Sequence, residues 1–421
     1  MANKIYKVAI LGVGARGGDA YGKLLNEDSE RFDIVALCDL RKERLERFSK
    51  EFNVKPENCF TDEEEFFKEK RADLLLVTTQ DKDHVRHAIK AFETGYHILL
   101  EKPVSDNKEE CKNLLKAQRK AGKKALVCHV LRYAPAFVKC KELIDAGEIG
   151  KLISINALER VSFWHQGHSY VRGHWRNTSI ASPMILAKSC HDLDLLQWYA
   201  GSKCKSLSSV GKLNYFTAEN APDGATKRCL DCPHVDSCPY SAKAIYVGRW
   251  HNDGKPVDRW PFNVACPAPV TEEKMLKNLE TNDWGRCVFH CDNNVVDNQM
   301  VMMTFENGIT AQLTMTAFTA HGYRRLTIFG THGDITIDED QVYLRRFGGK
   351  WETFSHEELN EGGYDHGGGD HAMMDALYAM LEGKADLETS LEASIESHLM
   401  GIYAEESRLN DGKLIYIHDE K

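Results

Sequence analysis

Lys7-Val8-Ala9-Ile10-Leu11-Gly12-Val13-Gly14-Ala15-Arg16-Gly17-Gly18 is the stretch whose reading decides the fold. A short apolar run feeds a glycine cluster, and a helix-like stretch follows. Gly12, Gly14 and Gly17 fit G-x-G-x-x-G. In such a turn the first glycine permits the tight bend, the second lets backbone approach a pyrophosphate, and the third lets helix pack on strand. Free N–H groups at the helix start, around Ala15 and Arg16, then face the phosphates. A second apolar run, Ile34 to Cys38, ends in Asp39. That is about 20 residues on, where an acidic side chain holds the adenosine ribose hydroxyls.

Outward from this turn, strands alternate with helices. Arg41 lies two residues past Asp39 and is placed to approach a 2′-phosphate, which Asp39 would repel, so NAD is expected ahead of NADP. A third strand, Asp73 to Thr79, ends in Thr78 and Thr79, and Asp81 and His84 open the next helix. A fourth, Tyr96 to Leu100, runs into Glu101-Lys102-Pro103, and Ala125 to Val130 reads as one more. This alternation means a parallel sheet with right-handed crossovers, whose ligands bind at the strands' C-terminal ends. The expected class is α/β. A Rossmann dinucleotide-binding domain spans 1–130, and an α+β domain with a large, mostly antiparallel open sheet spans 131–421.

At 421 residues the chain is long enough for two or three domains. Its net charge of -9 argues against a nucleic-acid binder, which normally shows a basic stripe. No signal-type apolar region follows the first basic residues, and no apolar run reaches the roughly 18 residues of a membrane span. A cytoplasmic address is expected. The 13 cysteines are then reduced thiols or metal ligands rather than disulfides.

In the second half, Ala136 to Ala146 reads as an amphipathic helix and Leu152 to Val161 as a strand. Ser162 to Ser182 is a polar, aromatic-rich loop. Its His168, Tyr170, Arg172, Trp175 and Arg176 are candidate substrate contacts, with aromatics for apolar ring faces and arginines for carboxylates or hydroxyls. Ile185 to Trp198 reads as one helix on which Lys188, His191 and Asp192 share a face. Two cations and an acid projecting together into a cleft perturb each other's pKa values.

An insert at about 217–292 carries Cys229, Cys232 and Cys238. Tetrahedral zinc needs a fourth ligand, which Cys266 or Cys287 could supply. The candidate set is Cys229, Cys232, Cys238 and Cys266, holding a structural zinc that staples a segment of little apolar periodicity. The alternative is a loop of free thiols buried as small hydrophobes. Two strands then meet at Asn307-Gly308, a hairpin signal, and further strands follow at 325–329, 333–337 and 341–345. Asp370 is read as a helix cap, with His366 before it as a second candidate to approach the site. A last amphipathic helix spans about 390–408.

The glycine turn, the Thr78-Thr79 strand end, Glu101-Lys102-Pro103 and Arg132-Tyr133-Ala134-Pro135 together resemble the glucose–fructose oxidoreductase / inositol dehydrogenase (Gfo/Idh/MocA) family. The resemblance implies that Lys102 contacts substrate and handles protons, while Glu101 and Pro103 shape the nicotinamide site and Arg132 belongs to the cofactor region. It also implies a helix with an acid–base histidine four residues after an aspartate. His191 matches the histidine, but the aspartate's position holds Ala187. The expected reaction is NAD(P)-dependent oxidation of a secondary hydroxyl on a sugar, inositol or related polyol. His191 would take the proton, and Lys188 and Lys102 would hold the substrate oxygen. An NAD-dependent glycosidase working by transient oxidation and elimination is the alternative, and a non-catalytic sugar sensor the third reading. The family's sheet commonly pairs subunits, so a homodimer or homotetramer is expected.

Overall fold

The computed structural model describes residues 4–359, 365–384 and 389–418. Among these the chain forms two sheets. The first has six parallel strands: Tyr6–Leu11 (β1), Phe32–Cys38 (β2), Cys59–Phe60 (β3), Leu74–Val77 (β4), His97–Leu100 (β5) and Ala125–Val127 (β6). Their order, β3-β2-β1-β4-β5-β6, reverses between β1 and β4. That switch point is where a doubly wound sheet opens a crevice for a ligand. β4 and β6 are buried throughout, as their unbroken apolar runs require.

The second sheet has nine strands: Leu152–Ser162 (β7), Cys204–Lys212 (β8), Asn298–Phe305 (β9), Thr310–Thr319 (β10), Arg324–Gly330 (β11), Gly333–Asp338 (β12), Gln341–Arg346 (β13), Trp351–Phe354 (β14) and Ile415–Tyr416 (β15). Only β7 and β10 pair in parallel; the rest of the ladder is antiparallel. Asn307-Gly308 makes the β9–β10 hairpin, with Gly308 at φ +87° where an L side chain would be strained. One sheet face packs on helices Pro135–Asp145, Cys190–Ala200 and Leu391–Leu409. Val210, Met300, Met302 and Phe329 stand exposed on the sheet.

The chain returns to the first sheet after β14 and before β15 completes the second. Met373, Met374, Leu377 and Met380 of helix Gly369–Glu382 are part of one nucleotide-side core, and Leu391 and Ile395 of helix Leu391–Leu409 are part of the other. The insert also holds a core of its own, built on Tyr246, Trp250, Phe262, Met275 and Leu279. Its apolar residues sit on short helices and turns, so the sequence of the insert shows little periodicity although it builds a core. Among the described residues no helix is long and apolar enough to cross a membrane.

Candidate active site

A cleft of about 420 Å³ opens at the C-terminal ends of β1, β2, β4 and β5. Its floor is the glycine turn. Gly12, at φ +94°, lies so close to β4 that a Cβ there would sit 2.6 Å from the Thr78 carbonyl oxygen. A Cβ on Gly17 would run into the Gly12 carbonyl and the Thr78 hydroxyl. Thr78 Oγ1 donates to the Gly12 carbonyl at 2.8 Å and ties the turn to the strand end. Gly14, Ala15 and Arg16 line the cleft from the helix start. This backbone cradle fits a dinucleotide pyrophosphate.

At one end, Asp39 accepts from the Arg41 N–H at 2.9 Å, and Arg44 Nη1 lies 3.4 Å from its carboxylate; all three line the cleft. At the other end, Glu101 is buried and accepts from Arg16 Nε (3.1 Å), Tyr21 Oη (2.7 Å) and the Lys102 N–H (2.9 Å). Burial alone would raise its pKa, but the Arg16 guanidinium and the Lys102 ammonium hold it below the usual carboxylate range. Arg16 also pairs with Asp370 at 2.8 Å. Asp370 therefore stands in the first turn of its helix as an ion-pair partner, and Gly368 takes the cap position instead. The His366 side chain lies outside the described residues.

The His84 ring bridges the carbonyls of Pro103 (2.7 Å) and Thr79 (3.0 Å), joining the ends of β4 and β5. Thr79 Oγ1 in turn meets His87 Nδ1 at 2.9 Å, and His87 Nε2 meets Glu63 at 2.6 Å. His87 and Glu63 line the cleft and had no sequence signal beyond helical spacing.

Lys102 lines the cleft, and its Nζ lies 3.3 Å from the Ala187 carbonyl oxygen. The segment expected as one helix is two: Met184–Ala187 and Cys190–Ala200, interrupted at Lys188 and Ser189. Lys188 consequently leaves the shared helical face. Its Nζ pairs with Glu159 on β7 at 3.3 Å. Arg324 on β11 bridges Glu159 (2.9 Å) and Asp192 (2.7 Å). Burial lowers the Lys188 pKa against the opposing pull of Glu159, while burial raises Asp192 despite Arg324. Lys188 and Asp192 are thus linked through a buried four-residue network rather than by direct pairing. His191 is buried, its ring edge-on to His129 at 5.9 Å.

Of the loop candidates, His168 and Trp175 line the cleft, together with Ser169, His174 and, from the insert, Trp260 and Trp284. His168 meets the Tyr246 hydroxyl at 2.8 Å, and burial with Arg172 nearby pushes its pKa down to about 3. Tyr170 is buried beneath Trp175. Arg172 and Arg176 do not reach substrate space. Arg172 is fully buried and donates to the Arg286 and Tyr240 carbonyls, and Arg176 pairs with Asp292 at 2.9 Å. Arg132 lies behind the cleft, doubly bonded to Asp194 at 2.7 Å. The expected zinc set is not assembled. Among the described residues no three His, Cys, Asp or Glu side chains are gathered to hold a metal ion, and Cys266 points to Pro267 O and Asn278.

Two family models cover most of the chain: the oxidoreductase family's NAD-binding Rossmann fold matches residues 6–129, and its C-terminal alpha/beta domain matches 141–414. The chain belongs to the Gfo/Idh/MocA oxidoreductase family. A Bacillus subtilis protein named "Putative oxidoreductase YteT" is 24% identical over 401 residues, covering 88% of each chain. The scyllo-inositol 2-dehydrogenase (NAD(+)) of the same organism is 28% identical over 216 residues, 49% of this chain and 57% of that one. Among solved structures, the WlbA dehydrogenase of Chromobacterium violaceum, in complex with NADH and UDP-GlcNAcA, superposes with a TM-score of 0.69. It is 15% identical and is covered to 98%, over 100% of this chain. The Gfo/Idh/MocA relatives and neighbours are oxidoreductases and dehydrogenases, and this member is an enzyme of that kind with an NAD-binding domain.

Proposed function

We propose that this enzyme oxidises a secondary hydroxyl of a sugar, inositol or related polyol, with Lys102 and His191 as its catalytic residues. The observation that carries the reading is the meeting of Lys102 Nζ with the Ala187 carbonyl. It joins the Glu101-Lys102 strand terminus to the segment that leads into the helix carrying His191, four positions further along the chain. When bound, NAD supplies the hydride acceptor; the chain supplies position and proton handling. Lys102 holds the substrate oxygen and stabilises the charge that grows on it as its proton leaves. His191 takes that proton. Lys188, made less basic by burial, supports the same oxygen. His168, Trp175, Trp260 and Trp284 give a largely apolar wall against a ring face.

Asp39 supports NAD over NADP, since it lines the cleft at the end of β2 and its carboxylate would repel a 2′-phosphate. The Val210, Met300, Met302 and Phe329 side chains support subunit pairing through the second sheet, for an exposed apolar sheet is otherwise an association hazard. The test is a panel of free polyols and sugars with NAD, read as the absorbance of reduced nicotinamide. A substrate-dependent rise is expected. Cleavage of aryl glycosides without net NADH, or binding with neither reaction, would overturn the dehydrogenase reading.

A further inference from the structure

We infer that Cys229, Cys232, Cys238 and Cys287 form a tetrathiolate site for one zinc ion, with the buried Arg172 guanidinium as its charge partner. All four cysteines line a single cavity of about 20 Å³ in the insert. A space of roughly 10–15 Å³ holds one water, so this one has the size of a single small occupant. The backbone builds it in two parts. Cys229 and Cys232 flank a tight turn, with the Cys232 N–H bonded to the Cys229 carbonyl at 3.2 Å, and Cys238 follows on a turn closed by His234. Arg228 then bridges to Arg286 in antiparallel fashion, and the Cys287 N–H bonds to the Lys227 carbonyl at 3.0 Å. This second part brings Cys287, 58 residues after Cys229, to the same cavity. Cys266 does not line it.

The second, independent observation is Arg172. Its side chain is 0% exposed. Its Nε and Nη2 donate to the Arg286 and Tyr240 carbonyls, Nη2 lies 3.4 Å from Cys229 Sγ, and Nη1 has no partner. Among the described residues no carboxylate pairs with it. A buried cation facing only neutral groups is costly and calls for an anion. Four thiols binding Zn²⁺ release four protons and leave a complex of charge minus two, beside which the guanidinium is compensated. No oxidation is involved. The four cysteines share the cavity without standing as a ligand set, since among the described residues no three such side chains are gathered to hold a metal ion. The Cys229 thiol faces the Arg286 carbonyl at 3.5 Å, so binding turns it inward from that contact and draws the four sulfurs together. The site would brace the cleft wall, because Arg172 ends the same helical segment, Gln166–Arg172, that presents His168.

Elemental analysis of the full chain, purified under reducing conditions without chelator, tests the proposal. One zinc per chain is expected, lost in C229S and C287S and kept in C266S. Should those variants fail to fold, an organomercurial titration of the intact protein should release zinc as thiols are blocked, and Co²⁺ replacement should give the visible spectrum of a tetrahedral tetrathiolate. R172M should weaken zinc binding about 10- to 100-fold, as loss of an outer partner does. Absence of stoichiometric metal, iron with labile sulfide, zinc lost from C266S but kept in C287S, or unchanged affinity in R172M would each overturn the assignment.

Discussion

Lys102 and Ala187 face each other across the domain junction, Nζ to carbonyl oxygen at 3.3 Å. The position at which the family's aspartate is expected therefore offers Lys102 a backbone oxygen and offers His191 no carboxylate. Lys102→Met should lower kcat by about 10²–10⁴-fold, the range for a lost proton-handling group. His191→Ala should lower it at least about 10²-fold. NAD affinity, followed by tryptophan or NADH fluorescence, should hold in both, since neither change touches the glycine turn. Turnover that survives either substitution removes that residue from the mechanism.

The proposed preference for NAD over NADP rests on Asp39. Asp39→Ser removes the repulsion and leaves Arg41 and Arg44 free to meet a 2′-phosphate. The ratio of kcat/KM for NADP over NAD should rise about tenfold or more, equivalent to one charge contact of about 1.4 kcal/mol. An unchanged ratio would place the adenosine end elsewhere.

Arg324 holds two buried carboxylates at once, Asp192 and Glu159. Arg324→Met strands both with Lys188 as their remaining cation. Stability should fall by about 3–5 kcal/mol, as when one partner of a buried pair is removed, read by urea denaturation. The deficit should shrink on acidification, because protonation removes the uncompensated charge.

His398 should make the protein acid-sensitive. Its Nε2 accepts from the Val104 N–H at 2.8 Å and its Nδ1 donates to the Ser394 carbonyl at 2.5 Å, so the neutral ring is fully satisfied. Burial, with His129 adding to it, pushes its pKa down to about 3. The unfolded ring takes a proton near pH 6.5, as an ordinary imidazole does, and the folded one does not. Stability from this residue is therefore full above pH 6.5 and declines as pH falls toward 3. His398→Gln should flatten the stability–pH slope in that window by close to one proton, measured as urea midpoints from pH 4 to 7. A slope identical to the parent protein's would show that His398 does not set it.

The sequence carried those parts of the site that are built from neighbours along the chain. Gly12, Gly17 and Asp39 are legible because a βα turn is a local object, and Asn307-Gly308 because a hairpin is. Glu101 and Lys102 were legible through resemblance. The charge network around His191 was not, because Glu159 and Arg324 arrive from strands whose pairing cannot be read from spacing. The periodicity of Ile185 to Trp198 predicts one helical face running through Lys188, but the helix breaks there. Arg172 looked like a substrate contact because an arginine among aromatics carries no mark of which way it turns. Trp260 and Trp284 carry no such signal because they lie about 80–100 residues beyond the loop they join at the cleft.

Helix Gly369–Glu382 covers a sheet whose strands were all laid down by residue 127, and its Asp370 reaches Arg16 beside the glycine turn. The nucleotide lobe is thus finished by the tail of the polypeptide. A fragment cut near residue 130 would bare the side of the sheet that Met373 and Leu377 now shelter. No single scission separates cofactor binding from the remainder of the enzyme: because β15 rejoins the second sheet after this helix, swapping lobes between relatives requires more than two crossover points.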